Sequence, residues 1–525
     1  MKQNIYAMFV GGMLLLASCN DYLSQLPGRG TDEPLTSAVQ LEGLLEDGEA
    51  LMYEVSPTLC FSTDDFGATR EVVSDFPDAF AWSDALSYFT WSVEDVENTG
   101  SNNCWEEQYA KIFTANLILN ELDNVEGLTD AMRQNYRSEA SFIRAHAYWW
   151  LVNHYAMPYA EENLEMPGVP LKRTTSYEES LDRQTLADAY RLIEEDLQEA
   201  LKTNETAVKR RWRLSRPAVY AFMSRHYLFT GDYDKVIECA DKALEAPEVT
   251  LHDYNELTRY SSEGVSADGY GEEEYGDDDD SGEWDEGDDD YDYEEDIPER
   301  WYPELYNYTP SVYADYQEFY YARLLKNYNS PKYFPSENLL ALYDREYDLR
   351  FRYLMVENGA VDNGIELSDG NYQYVKFKSW QGDLLPFGPT IAEVLLNKAE
   401  AQARKGFADE AMATVNRLRE KRMEAGSEYE LTATSGEDAL MKVLEERRRE
   451  LPFVMRWFDI RRFAYNETPA DDVAPEFDFF VVKNGTADEE SVVHYSLPLK
   501  SRRYAVPISR NEINQSRGQI VQNQY

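Results

Sequence analysis

Apolar residues recur at helical spacing through most of this chain. Trp105, Tyr109, Ile112, Asn116 and Leu119 fall on one helical face, and Ile143, Ala147, Trp150, Leu151 and His154 fall on another. The same period predicts helices over about Met132 to Tyr155, Arg183 to Leu201, Pro217 to Phe229 and Tyr233 to Leu244. In the second half it predicts Pro389 to Arg404, Ala408 to Met423 and one long helix from Glu437 to Phe463. Two helix pairs carry a repeat pattern. Tyr220, Ser224, Tyr227, Gly231-Asp232-Tyr233-Asp234, Ala240, Ala243 and Leu244 follow tetratricopeptide spacing, and Leu395, Ala399, Gly406, Ala411 and Val415 follow it more weakly. In such a unit small residues let two antiparallel helices approach, and the glycine turns the chain between them. Units of this kind bury their faces only against neighbours, so they stack. The expected fold is all-α, a tetratricopeptide-like helical repeat scaffold with long irregular loops.

The first residues follow a different pattern. Lys2 precedes an apolar run from Ile5 to Leu16, which ends in Leu16-Ala17-Ser18-Cys19. The run has signal-peptide length and is too short to span a bilayer. An aliphatic residue, two small residues and a cysteine form the pattern of a bacterial lipoprotein signal. Residues 1–18 are then a leader and Cys19 is the lipidation site. Each acyl CH₂ buried in the membrane contributes about 0.8 kcal/mol. Asn20 to Thr36, with Pro27, Gly28, Gly30 and Pro34, reads as a tether, so 19–36 would anchor a single folded domain over 37–525. No other stretch is long and apolar enough to cross a membrane.

Charge narrows the partners. The formal net charge is −49, from 99 acidic and 50 basic residues. Phosphate backbones need clustered cations, so nucleic acid is excluded as a partner. The same balance argues against adhesion to anionic headgroups. Ser261 to Ile297 holds 19 of the acidic residues and no Lys or Arg. Self-repulsion and a shortage of apolar side chains make this an acidic insert at 261–297 rather than part of a core. Within it Asp277, Asp279, Ser281 and Asp288, with Gly282, match the oxygen-ligand spacing of a calcium loop. Trp284 stands where that loop has an aliphatic residue, and no helices flank it, so a solvated acidic loop competes with a calcium site.

Sequence motifs for catalysis are absent: there is no GxSxG, HExxH, Walker loop or strand-led GxGxxG. The histidines, at 146, 154, 226, 252 and 494, sit mostly in apolar helical contexts. Besides Cys19 there are Cys60, Cys104 and Cys239; Cys60 with Cys104 is the more plausible disulfide, and three buried thiols are the alternative. Aromatic clusters outside the repeats are the candidate chemistry. The first contains Trp82, Tyr88, Phe89 and Trp91, followed by Asn98 and Asn102; the second contains Trp301, Tyr302, Tyr306, Tyr308 and Tyr313; the third contains Tyr372, Tyr374 and Trp380. Sugar rings stack their CH faces on aromatics, and Asn amides bind hydroxyls. Any one such ring more often packs a loop onto the scaffold.

Several segments together resemble the SusD/RagB outer-membrane lipoproteins of Bacteroidetes. They are Cys19 to Leu23 at the lipobox, Trp105 to Asn116, Glu139 to Tyr155 with Gly168 to Leu171, Ile391 to Ala401, and Asn416 to Arg422. The most specific is Glu445 to Phe463, EERRRELPFVMRWFDIRRF, and Val506-Pro507-Ile508 through Gln522-Asn523 resembles the family's ending. Pro452 and Val454-Met455 depart from the family pattern, as does Thr390, where an arginine is usual. Glu450, Arg456, Trp457 and Asp459 read as structural residues that pin the last helix to the scaffold. The resemblance implies a non-catalytic surface lipoprotein that acts as the lid of a SusC-like TonB-dependent barrel and captures oligosaccharide. In the RagB branch the ligand is peptide instead. A periplasmic tetratricopeptide adaptor is the third reading of the residues.

Overall fold

Serine, threonine and aspartate caps start the helices that the apolar spacing predicts. The computed structural model describes residues 35–75, 84–98, 103–176, 178–256, 316–326, 333–356, 376–377 and 384–525. The main helices are α1 (Ala38–Leu45), α2 (Asn103–Glu121), α3 (Asp130–Tyr155), α4 (Leu186–Ala200), α5 (Arg216–Thr230), α6 (Tyr233–Leu244), α7 (Ile391–Arg404), α8 (Ala408–Arg419), α9 (Gly436–Glu450) and α10 (Arg456–Phe463). Thr129, Thr185, Ser215, Asp232, Thr390 and Ser435 each accept a main-chain N–H from the first turn of α3, α4, α5, α6, α7 and α9.

Neighbours in the chain pack as neighbours in space: α2 on α3, α3 on α4, α5 on α6, α6 on α7, α7 on α8, and α9 across α7 and α8. Gly231 and Gly406 end α5 and α7 with φ of +77° and +82°. Nothing lies within 4 Å of a Cβ at either position, so the left-handed backbone and not space calls for glycine. The main core runs from Met52 to Ile520, and a smaller one seats α1 on α2 and α3 through Leu41, Leu45, Ile118, Leu122 and Ile143. Cys60, Cys104 and Cys239 are free, buried thiols, and Cys104 accepts a hydrogen bond from the Trp150 indole at 2.7 Å. The disulfide alternative is therefore not formed.

Short strands accompany the helices. β1 (Tyr53–Glu54) runs parallel to β2 (Leu324–Lys326), which pairs antiparallel with β3 (Leu384–Pro386). A hairpin of β4 (Glu476–Lys483) and β5 (Thr486–Ser496) follows α10. The long helix expected over Glu437 to Phe463 is two helices. Pro452 carries no N–H and disfavours helical backbone at Leu451, and Phe453 turns left-handed at φ +62°. The chain then restarts as α10 in a new direction.

Buried ion pairs join the C-terminal helices. Arg447 donates to Asp459 at 2.7 Å and to Asn397 at 2.8 Å, while Arg462 bridges Glu400 (2.7 Å) and Asp459 (2.9 Å). Alongside, Arg422 joins Glu318 (2.7 Å) to Glu450 (2.9 Å), and Arg350 reaches Asp348 and Glu446, both at 2.8 Å. Burial alone would raise the Glu400 carboxyl, but Arg462 and Arg404 hold it well below the usual carboxylate range. The C-terminal segment closes over the end of α3, where Val506 donates to the His154 carbonyl at 2.8 Å and Asn523 to that of Tyr155 at 3.1 Å.

Replacing Arg462 by Met leaves Glu400 buried with fewer partners, and the expected loss is about 3 kcal/mol in urea unfolding. A carboxyl depressed in the folded state contributes stability above its unfolded pKa and loses it as pH falls. In the variant Glu400 takes up a proton at higher pH than in the parent. The stability gap between parent and variant should therefore narrow as pH falls from about 7 towards about 4.

Candidate functional site

Three stretches far apart in sequence meet around a cleft of about 1240 Å³. One wall is the turn Thr63 to Thr69 after the short helix Pro57–Phe61, with Arg70 and Glu71 at the start of helix Arg70–Asp75. Phe334 to Asn338 form a second wall, and Val473 to Phe479, including the first half of β4, form the third. Phe89 and Trp91, at the end of helix Ala85–Phe89, lie between them.

The floor is aromatic. Phe89 stacks on Phe477 with centroids 4.3 Å apart and meets Phe66 and Phe479 edge-on at 5.5 and 5.1 Å. Trp91 lies 5.3 Å from Phe477, and its indole N–H donates to the Ser62 carbonyl at 2.9 Å. Such ring pairs contribute about 0.5–1.5 kcal/mol each beyond the area they bury. Trp91 adopts φ +52°, a left-handed conformation held by that indole bond and by its main-chain bond to Tyr88. Phe477 is half-buried, whereas Phe66, Phe89 and Trp91 are buried.

The walls are fastened to the ionic scaffold. Arg456 holds Asp64 through two bonds of 2.6 and 2.7 Å, and Arg448 holds Asp65 at 2.6 Å. Burial works against the charged form of Asp64, but Arg456 and Arg448 bring its carboxyl down to about 2. Asp65 lies wholly buried beside it and is raised by that burial. The first two walls are tied together by Gly67 N–H to the Phe334 carbonyl at 2.8 Å and Ser336 N–H to the Asp65 carbonyl at 2.7 Å. The rim carries exposed Glu71, Glu337, Glu476 and Asp478, with exposed Arg70 and Arg345 among them. His494 stands against Asp478 at 2.9 Å.

Of the residues nominated from the sequence, Phe89 and Trp91 line this cleft. Tyr88 does not; its ring is buried, and its carbonyl accepts bonds from the Ser62 hydroxyl and the Trp91 N–H. Cys19, Trp82, Asn102, Trp301, Tyr302, Tyr306 and the calcium candidates Asp277, Asp279, Ser281 and Asp288 lie outside the described residues. Among the described residues no group of three or more His, Cys, Asp or Glu side chains is placed to hold a metal ion. Sequence reasoning missed Phe66, Phe477 and Phe479. The last two had a readable signal, since Glu476-Phe477-Asp478-Phe479 alternates and Asn484-Gly485 marks a tight hairpin turn.

Gly67 is where the cleft is most sensitive to a small change. A Cβ there would lie 2.6 Å from the Pro335 oxygen and 2.9 Å from Ser336 Cα, both main-chain atoms that cannot swing aside. Gly67→Ala should force the two walls apart. The expected destabilisation is about 1–3 kcal/mol in chemical unfolding, with faster amide exchange at Gly67 and Ser336 than in the parent.

Residues 21–228 match a family described as starch-binding and associating with the outer membrane, and residues 391–525 match the SusD family. SusD-like protein P38 of Formosa agariphila is 26% identical over 385 residues, which cover 68% of this chain and 71% of that protein. A SusD-like carbohydrate binding protein from Bacteroides vulgatus superposes with a TM-score of 0.60 at 16% identity, covering 92% of this chain and 97% of that one. Surface glycan-binding protein A from Bacteroides uniformis gives 0.57 at 15% identity, covering 93% and 99%. The two family matches bracket the scaffold, and the solved structures share its fold: the chain belongs to the SusD/RagB family.

Proposed function

We propose that this protein is a non-catalytic, lipid-anchored lipoprotein of the outer cell surface that captures oligosaccharide in the cleft and passes it to a SusC-like TonB-dependent barrel. The observation that carries this reading is the packed aromatic floor, in which Phe89, Phe477 and Trp91 interlock at 4.3 and 5.3 Å inside an open cleft. A preformed apolar platform ringed by polar groups suits the CH faces and hydroxyls of a sugar chain and needs no nucleophile. Solved relatives of the same fold are described as carbohydrate-binding and surface glycan-binding proteins, which supports the ligand class. Lipidation at Cys19 and the 19–36 tether would hold the binding domain beside its barrel at high effective concentration. Trp82, Asn102, Trp301, Tyr302 and Tyr306 are the sequence's other candidates for sugar contacts.

The test is calorimetry of the mature protein against a panel of oligosaccharides, followed by Phe477→Ala and Trp91→Ala. Loss of a stacking ring should weaken the best glycan at least tenfold, about 1.4 kcal/mol, with thermal melts run to show that the variants stay folded. A panel without a binder, or a binder indifferent to both changes, rejects the reading. Protease treatment of intact cells should cleave the domain, whereas a periplasm-facing adaptor would be protected.

A further inference from the structure

Trp91 borders a second, much smaller cavity as well as the cleft. It measures about 20 Å³, and its wall includes Thr58, Ser62, Tyr88, Trp457 and Arg503. That is room for one water molecule or one monatomic ion, and too little for a sulfate or a sugar. The residues that hold Trp91 are among those on this wall. The Trp91 indole donates to the Ser62 carbonyl at 2.9 Å, and its main-chain N–H donates to the Tyr88 carbonyl at 3.2 Å. The Ser62 hydroxyl donates to the same Tyr88 carbonyl at 3.0 Å. Whatever occupies the cavity therefore touches the turn that sets one wall of the cleft.

Two donors on the wall lack a protein partner. Trp457 is 1% exposed, yet its indole nitrogen makes no hydrogen bond. Buried donors are paired in the great majority of cases, and an exception points to a bound water or ion. Arg503 is half-buried. Among the described residues, the hydrogen bond it donates comes from its main chain, N–H to the Ser501 hydroxyl at 3.2 Å. Its guanidinium has no carboxylate. Arg447, Arg456 and Arg462, by contrast, each hold one, at 2.7, 2.6 and 2.9 Å. Burial acts alone on Arg503 and lowers its pKa, where a facing carboxylate would raise it.

These donors set the sign of the ligand. A guanidinium and an indole N–H donate and accept nothing. Among the described residues, none of the side chains lining the cavity is acidic. Asp95 is not one of them, although it accepts the hydroxyl of Ser92, which is, at 2.9 Å. A water would satisfy the indole and leave a half-desolvated cation uncompensated; a small anion does both. The net charge of −49 opposes anions from a distance, but salt screens that field within about 8 Å at physiological ionic strength. The size of the cavity then selects a monatomic anion.

We propose that this cavity is a chloride site in which the Trp457 indole and the Arg503 guanidinium donate to the ion. The ion neutralises Arg503, satisfies Trp457 and braces the Ser62–Tyr88–Trp91 turn. The site does not depend on what the cleft binds.

Crystals of the mature protein grown in sodium bromide test the site directly. An anomalous peak between Trp457 Nε1 and the Arg503 guanidinium is expected, and its absence overturns the proposal. Urea unfolding in sodium chloride and in sodium gluconate, at equal ionic strength, tests whether the ion acts in solution. The folding equilibrium constant should rise at least twofold between zero and about 100 mM chloride. Arg503→Gln and Trp457→Phe should each abolish that dependence. Every variant is compared with itself in the two salts, so a general loss of stability does not enter. A bromide peak without a chloride effect on unfolding marks an adventitious ion only and overturns the proposal. A chloride effect that either variant keeps overturns it as well. If a variant fails to fold, the bromide peak and the salt comparison on the parent protein still decide.

Discussion

The pairing of buried arginines with buried carboxylates is the constraint on which the rest of this structure depends. Arg447, Arg462 and Asp459 lock α10 to α9 and α7, while Arg422, Arg350, Glu446 and Glu450 lock α9 to the segments around 318 and 348. Desolvating so many charges is costly, and each pair offsets that cost only because its geometry is close and its partners are shared. Removing one member would strand another in a medium that cannot solvate it.

The cleft hangs from this lattice. Pro452 and the left-handed Phe453 break what would otherwise be a continuous helix. The break leaves Arg448 on one side and Arg456 on the other; both reach Asp64, and Arg448 also holds Asp65, in the turn that walls the cleft. Ser336 and Gly67 bind the second wall to that same turn, and the β4–β5 hairpin follows directly after α10. A ligand platform is thus held by helices whose own positions are set by charge pairing, with aromatic packing of Phe89 on Phe477 closing the arrangement.

Legibility in the sequence followed the range of the interactions. Helices whose apolar faces repeat every few residues were readable, as were the turn glycines Gly231 and Gly406, because local backbone conformation dictates them. The segment from Glu445 to Phe463 carried the family resemblance, yet its periodicity concealed the break at Pro452. The hairpin was encoded by Asn484-Gly485 and by the alternation before it, a period-two signal of only a few residues within a helical chain. Trp91 was nominated as a candidate ring and lies in the cleft wall; Tyr88, three residues earlier, turns its ring into the core.

Local sequence by itself determined the repeat-like helical scaffold, the acidic balance, the short apolar run that leads to Cys19 and the family. Each rests on periodicity, composition or a contiguous motif. Only the tertiary structure decided that Phe66, Phe89, Trp91 and Phe477 share one floor, that Asp64 belongs to Arg456, and that the first half of β4 lines the cleft. These residues lie up to several hundred positions apart. What unites them is burial and charge pairing across the fold, and neither leaves a mark in the spacing of neighbouring residues.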